Sequence, residues 1–435
     1  MMSNPTLTDM VLLGWQGIIG FVCGVTDAFL AERQEYPEMN VTHYTQAHSS
    51  GDALYVFHLV RAVARQGVTV RLVCPNDYEH LYRLAMTENL QVYKLPQVAP
   101  LHLLGGRFGK AYKLWQLLKQ TAVGTYKVRA LRRESPIVHA NFPQRYPIAA
   151  LMLIGFKLSG VQLIYEAHDV LPHRSMLPWA VRFLDWVLFW GMYVAADKII
   201  VHHREGVHTL RKKFGVRPGK VVVIPHGPFR LSDAPVPYEE GNEIVALLFG
   251  SLRENKGIHL GIRAVQNMRA NGHPLKLVIA GEAGRLDKDY WRWCKKLIEA
   301  SPEGITVIDR YIENEELKEV VAGAHFFLLP YTEFHSQSGV AALALSNGRP
   351  IVATRAGGLS DVLLPDRTGV FIEGATVKSV EEALLRAVRL GHNGLRKMGQ
   401  QAFEVYNASY SWDAIAQTNI DLYRQLKTRP ESKVL

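Results

Sequence analysis

Two turns in the second half of the chain carry groups suited to a multiply charged anion. The first is FGSLRENKG, Phe249 to Gly257. Gly250 permits a tight turn beside Ser251, and Arg253 and Lys256 then set two cations near the next helix start. The second is HSQSGVAALALSNGRPIVATRAGG, His335 to Gly358. A small-residue helix starts there after Ser336, Gln337, Ser338 and Gly339, with no acid in its first turn. A helix start carries unpaired N–H groups and a partial positive charge, so this one invites an anion from outside the chain. Together the two turns supply backbone N–H groups and two fixed cations, a cradle for a diphosphate that needs no metal. Alone, Arg253 and Lys256 read equally well as solvated surface cations.

The first half offers proton-transfer groups instead. Asp52 follows Gly51 in HSSGD, His168 and Asp169 stand together in YEAHD, and His226 lies in IPHG. Asp52 and His168 are the groups available as a general base. For His168 the ordinary alternative is a core or second-layer histidine that holds a loop. His226 reads as either structural or functional, and Asp361 as either a cap or a ligand contact. Two familiar nucleotide motifs are absent. The Lys256–Gly257 pair runs into Ile258 rather than Ser or Thr, so this is no Walker loop. HSSGD has one glycine where a dinucleotide fingerprint has three. An ATPase and an NAD enzyme are disfavoured.

The elements that must hold these loops alternate along the chain. MNVTHYTQ, VTVRLVCP, PIVHANFP, VQLIYEAHD, DKIIVHHR and VVVIPHGPF read as strands, with helical patterns between them. Residues 230–243, RLSDAPVPYEEGNE, read as a linker. The alternation restarts with IVALLFGS and continues through LKLVIAGE, GITVIDRYI, HFFLLPYT, PIVATRAG and TGVFI. The expected fold is α/β: two doubly wound, Rossmann-like domains facing a cleft, with ligands beyond the carboxyl ends of the strands. The expected segments are 1–38, 39–230, a linker over 231–243, 244–408, and 409–435 as a last helix and tail. At 435 residues, 48% hydrophobic and 21% charged, the chain can fill two cores. Its net charge of +10 suits phosphates, nucleic acid or an anionic membrane. Cys23, Cys74 and Cys294 lie far apart with no CxxC pair, so neither a zinc site nor a disulfide framework is expected.

Two segments bear on membranes. Met10 to Val25 is apolar except for Gln16, shorter than a spanning helix, and has no basic region ahead of it. It reads as a membrane-associated segment, a buried extra helix, or sequence upstream of the working protein. The stretch from Arg107 to Arg133 interleaves Lys110, Lys113, Lys119, Lys127, Arg129 and Arg132 with Leu114, Trp115, Leu117, Leu118 and Leu131. Such a stretch suits an anionic membrane surface, or is an ordinary solvated face. No nucleic-acid motif accompanies the charge.

FGSLRENKG, VIAGE, YIENEEL, FFLLPY, QSGVAALALSNGRPIVATRAGGLSDVL and SWDAIAQTNIDLY resemble GT-B glycosyltransferases of the family-4 type. The likeness extends through Gly51, His168–Asp169, AADKIIVHH and IPHG, over roughly residues 39 to 428. It implies transfer of a sugar from a UDP- or GDP-linked donor, without a cofactor or metal, and favours retention of configuration. The donor would sit on the second domain, held by Gly250, Ser251, Arg253, Lys256, the loop Arg310–Tyr311–Ile312, and Gln337, Ser338, Gly339 and Val340. His168 would lie near the reacting sugar, with Gly51, Asp52 and Asp169 on the acceptor side; His168, Arg253 and Lys256 are the catalytic candidates. The last helix, about Trp412 to Leu426, would cross back to the first domain. The sequence departs from the family at its paired glutamates, where it has His335 and Leu343. Gln337 or Ser338 would then serve with neutral hydrogen bonds. A membrane-bound acceptor would be a lipid or lipid-linked sugar at the cytoplasmic face, in envelope polysaccharide or glycolipid synthesis. The alternatives are a non-catalytic nucleotide-sugar-binding or scaffolding protein and, on the same architecture, an epimerase or phosphorylase.

Overall fold

The computed structural model describes residues 39–48, 50–98, 106–141, 146–171, 179–238, 241 and 243–427. The Met10–Val25 segment and the tail after 427 lie outside the described residues, as do the side chains of Arg107 and Lys110. Asn40–Leu435 form one compact unit.

The first half runs β1 (Asn40–Thr45), α1 (Ser50–Arg65), β2 (Thr69–Pro75), α2 (Leu81–Ala85), β3 (Leu90–Leu95) and α3 (Gly106–Leu131). It continues with β4 (Ile137–Asn141), α4 (Tyr146–Leu158), β5 (Gln162–Glu166), α5 (Trp179–Ala195), β6 (Lys198–Val201), α6 (Arg204–Phe214) and β7 (Val221–Val223). The second half begins β8 (Ile244–Phe249), α7 (Ile258–Ala270), β9 (Leu275–Gly281), α8 (Lys288–Ala300), β10 (Ile305–Asp309), α9 (Asn314–Ala322) and β11 (Phe326–Leu329). It closes with α10 (Gly339–Ser346), β12 (Ile351–Thr354), α11 (Leu359–Val362), β13 (Gly369–Ile372), α12 (Val377–Arg389), α13 (Gly391–Ser409) and α14 (Trp412–Lys427).

Both sheets are parallel. The strand orders are β3-β2-β1-β4-β5-β6-β7 and β10-β9-β8-β11-β12-β13. The strands are apolar on both faces because helices cover both, as in β11 and β12, where every residue is buried. Chain order reverses between β1 and β4 in one sheet and between β8 and β11 in the other. Such reversals splay the flanking loops apart and open a crevice at the strands' carboxyl ends.

Residues 231–238 are bound along the second half. Leu231 N–H donates to Asn347 Oδ1 (2.7 Å) and Val236 N–H to the Asn347 carbonyl (3.1 Å). The buried Arg349 guanidinium donates to the carbonyls of Val236 (2.6 Å) and Pro237 (2.8 Å). The last helix returns to the first half as expected. Trp412 packs on Tyr55 (5.3 Å between centroids) and stacks on His58 (5.2 Å). Tyr423 OH reaches His139 Nδ1 (2.8 Å) and His43 Nε2 (3.2 Å). One local expectation differs: Gly51 sits inside the first turn of α1 rather than in a turn ahead of it. A Cβ there would meet nothing within 4 Å, so no close approach demands this glycine.

Candidate active site

The loops after β8 and β11 flank the reversal in the second sheet, and they are the two anion turns. The β8 loop turns at Gly250 (φ +95°), forms a short 3₁₀ turn over Glu254–Lys256, and turns again at Gly257 (φ +64°) into α7. Only glycine fits at Gly257, because a Cβ would overlap the Pro330 carbonyl oxygen. That geometry presses the β8 loop against the β11 loop and folds Lys256 inward, its ammonium 5.5 Å over the Tyr331 ring. A Cβ on Gly250 would lie 3.3 Å from Val340 Cγ2 and 3.4 Å from Lys256 Nζ. The lysine and the start of α10 therefore meet across Gly250. Burial, then the neighbouring Arg253 charge, lowers the Lys256 pKa to about 8. Arg253 and Ser251 stay exposed in the same turn.

Helix α10 starts at Gly339 with Ser338 as N-cap, whose hydroxyl accepts from Ala341 N–H (3.2 Å) and meets Tyr331 OH (3.2 Å). Gly339 and Val340, the first two helical residues, precede the intrahelical ladder, and the dipole end points where Lys256 lies. Gly357 (φ +53°) and Gly358 let the β12 turn lie against this loop. A Cβ would sit 2.8 Å from Phe334 O at the first glycine and 2.9 Å from Gln337 Cα at the second.

The first half closes on the same loop. Asp169 and Ser336 form an antiparallel bridge. His226 N–H donates to Gln337 Oε1 (2.6 Å), His203 Nε2 bonds the His335 carbonyl (3.1 Å), and Arg204 N–H donates to Asp361 Oδ2 (2.8 Å). Asp361 thus caps α6 across the two halves. Asp52, in the first turn of α1, has its pKa raised to about 6 by burial and by the Asp169 charge; Arg253 offsets part of this. The acids of the first half and the cations of the second therefore share one electrostatic neighbourhood.

Behind His168 runs a buried polar row. Glu166 accepts from Tyr55 OH and Asn141 Nδ2, and its carboxylate lies 3.0 Å from His139 Nε2 and 3.4 Å from His202 Nε2. Burial alone would raise this carboxyl's pKa; the His139 hydrogen bond and the charges of His168, His139 and His202 instead hold it well below the usual range. His202 bonds the Ile224 carbonyl through Nδ1 (2.8 Å) and His168 Nδ1 through Nε2 (2.9 Å). Burial and then His202 push the His168 pKa well down, with Glu166 opposing, and its side chain is 16% exposed. Glu166, His168 and His202 each bring a metal-ligand atom within 4.8 Å of the others. Those atoms already serve one another and Tyr55.

The structure thus gathers Gly250, Lys256, Gly339 and Val340, and sets His168, Asp169 and Asp52 on the facing half. Gln337 and Ser338 spend their oxygen atoms on His226 and on the helix cap. Arg310 forks onto Glu316 (2.7 Å for one arm), Tyr311 is exposed, and Ile312 is buried in the core. His335 faces Glu333 (3.1 Å), and Leu343 is buried. The reading of the sequence missed Tyr331, Tyr55, Glu166 and His202. For Glu166 and His202 the signal was polar residues interrupting apolar strands, in LIYEAHD and IIVHHR.

Comparison with known proteins supplies the remaining step. Residues 50–227 match the family described as Glycosyltransferase Family 4, and residues 243–389 match Glycosyl transferases group 1. The MMP alpha-(1->4)-mannosyltransferase of Mycolicibacterium hassiacum is 24% identical over 424 residues, 89% of this chain and 98% of that protein. The sucrose-phosphate synthase of Thermosynechococcus elongatus superposes with a TM-score of 0.68 at 20% identity, covering 90% of this chain and 99% of its own. Anabaena HepE in complex with UDP gives 0.67 at 14% identity, covering 89% and 100%. With a family match on each half, and the crossover helix joining them, the chain belongs to the GT-B glycosyltransferases of the family-4-like kind.

Proposed function

We propose that the protein transfers a sugar from a UDP- or GDP-linked donor to a glycan or lipid-linked acceptor, retaining configuration and needing no metal. One observation carries the reading: Lys256 and the start of α10 converge on Gly250 from turns far apart in sequence. A diphosphate placed there meets an ammonium, the nearby Arg253 and two helix-start N–H groups. The acceptor oxygen attacks the anomeric carbon on the face the phosphate leaves. The anomeric C–O bond breaks with its electron pair passing to the phosphate oxygen, which takes the acceptor's proton. Charge grows on the leaving diphosphate, and preorganised donors stabilise it more in the transition state than before it. In this reading His168, whose side chain is 16% exposed, gives a hydrogen bond to a sugar hydroxyl.

Relatives support the substrate class. HepE has been seen with UDP-glucose, and GDP-mannose:glycolipid 4-beta-D-mannosyltransferase of Xanthomonas campestris is 25% identical over 240 residues, 52% of this chain and 62% of its own. The same reading places the protein at the cytoplasmic face of a membrane, on an anionic surface. No helix among the described residues is long and apolar enough to cross a membrane.

The test is a panel of UDP- and GDP-sugars with purified protein and lipid-extract or oligosaccharide acceptors. Nucleoside diphosphate release and product linkage are read with and without EDTA. Binding without release or transfer for every donor would favour the non-catalytic alternative. An inverted product or an EDTA-sensitive reaction would overturn the corresponding part of the mechanism.

A further inference from the structure

Helices α3, α4 and α5 pack into one core through Val128, Leu131, Leu153, Phe156, Phe189 and Met192, with α4 between the other two. They form a layer on one side of the seven-stranded sheet. Their opposite sides face outward, and those sides are unusually apolar. On α4, Leu151 and Leu158 are 64% and 83% exposed. On α5, Phe183, Val187, Trp190 and Val194 repeat at spacings of four, three and four residues, each at least 37% exposed. Helix α3 adds Tyr112, Trp115, Leu118 and Tyr126. Scattered exposed apolar residues are ordinary, but this many on the outward sides of three neighbouring helices mark an interaction surface.

Charge says what the partner is. The three helices carry eight Lys or Arg residues in sequence and one acid, Asp185; of the cations, Lys157 is paired with Asp197 (2.7 Å). Lys119 is exposed beside the Trp115 ring (5.2 Å), and Arg129 is exposed near the end of α3. Apolar residues flanked by cations, with tryptophan and tyrosine among them, match the boundary between acyl chains and anionic headgroups.

We propose that the α3–α4–α5 layer docks on an anionic bilayer, with the stripe on α4 and α5 entering the headgroup–acyl boundary and the α3 cations on lipid phosphates. This rests on the membrane reading above and assigns it a face and a mode. In a parallel α/β sheet the helices following the strands begin at the strands' carboxyl ends, so the docked layer borders the acceptor side of the cleft. A lipid-linked acceptor would then reach the site without leaving the membrane. The mode differs from electrostatic adsorption by Arg107–Arg133 alone. Added salt weakens the contribution of the cations but leaves that of the apolar stripe, because apolar burial is not screened.

The experiment uses the full chain carrying Cys23→Ser; Cys74 and Cys294 are buried. A polarity-sensitive dye is attached through Trp190→Cys, and in a second protein through Leu286→Cys, a control site in the second half that is 94% exposed. Vesicles are phosphatidylcholine with or without phosphatidylglycerol. The expected result is a blue shift at 190 and none at 286, larger with phosphatidylglycerol than without, and reduced by salt to the level of phosphatidylcholine alone rather than to zero. The triple variant Phe183→Ser, Val187→Ser, Trp190→Ser is expected to lower the bound fraction roughly tenfold or more. Its nucleotide-sugar thermal shift should match the parent's, which separates loss of docking from failure of the transferase reading and from misfolding. If that variant does not fold, Leu151→Ser with Leu158→Ser replaces it under the same criteria. An unshifted dye at 190, or variants that bind vesicles like the parent, overturns the proposal. Emission already blue without vesicles also overturns it; concentration dependence would then identify a second copy as the occupant, and its absence another part of the same chain.

Discussion

The proposed donor site puts the most weight on Lys256. Lys256→Ala and Arg253→Ala each remove a charge-assisted hydrogen bond of about 1.5–3 kcal/mol. Turnover should therefore fall about ten- to a hundredfold in each variant, with the melting transition little changed. Equal kcat/KM in variant and parent would remove the phosphate assignment. The lowered pKa of Lys256 adds a pH signature. In the proposed site the ammonium form would bind the diphosphate, and its population falls as pH rises through about 8. Donor affinity should be full below that value and decline above it, while Lys256→Arg should hold affinity to higher pH. Titrating donor KM from neutral to alkaline pH in both proteins checks this. The polar row behind His168 predicts a loss of stability. Tyr423→Phe deletes the hydroxyl shared by His43 and His139, and an unsatisfied buried group costs about 1–3 kcal/mol. Urea unfolding with an unchanged midpoint would show that this row is not a stabilising network. The sequence displayed these histidines without their partners, because β1, β4, β5 and β6 become neighbours only in the sheet.

Elements position the site through backbone conformations that side chains cannot imitate. Gly257→Ala should be a damaging single-methyl change in the cleft, since it demands φ +64° and meets the Pro330 carbonyl. Loss of about 1–3 kcal/mol of stability from the strained position is expected, with a further rise in donor KM as Lys256 shifts. Gly51→Ala is the control, because space is open there and φ is not constrained; a variant as defective as Gly257→Ala would contradict the contrast. Helix α14 carries a second element-scale expectation. Trp412 packs on Tyr55 and His58 and donates Nε1–H to the Pro228 carbonyl (3.0 Å). Trp412→Ala should cost about 3 kcal/mol. Denaturant unfolding measures it, and a cost near zero would mean the crossover helix docks through other residues.

At the scale of the whole molecule, the first half closes on the loops of the second sheet that the proposal gives to the donor. His226–Gln337, His203–His335, Arg204–Asp361 and the Asp169–Ser336 bridge all join the two halves at one place. A ligand that binds only the folded form stabilises it by mass action, about 2.7 kcal/mol at a hundred times its dissociation constant. The matching nucleotide sugar should therefore raise the melting temperature of the parent. It should raise that of Lys256→Ala much less at equal concentration. Equal shifts in both proteins would place the donor elsewhere.

The sequence by itself determined the alternation of strand and helix, hence two doubly wound halves. It also determined the glycine and cation turns and the amphipathic last helix. These are local properties: a side-chain period, a φ that only glycine adopts, an acid missing from a first turn. It did not determine which polar atoms were already taken. Gln337 and Ser338 looked available for a sugar, yet one receives the His226 amide and the other caps α10. Arg310 looked like part of the base pocket and forks onto Glu316, while Ile312 is core. His168 read as a cleft group or a second-layer histidine holding a loop, and it ends a buried row built on Glu166 whose other members the sequence did not name. Only tertiary structure decided these points, because a hydrogen bond needs its two partners within about 3 Å. Strand order and helix packing, rather than residue type, set which groups come that close.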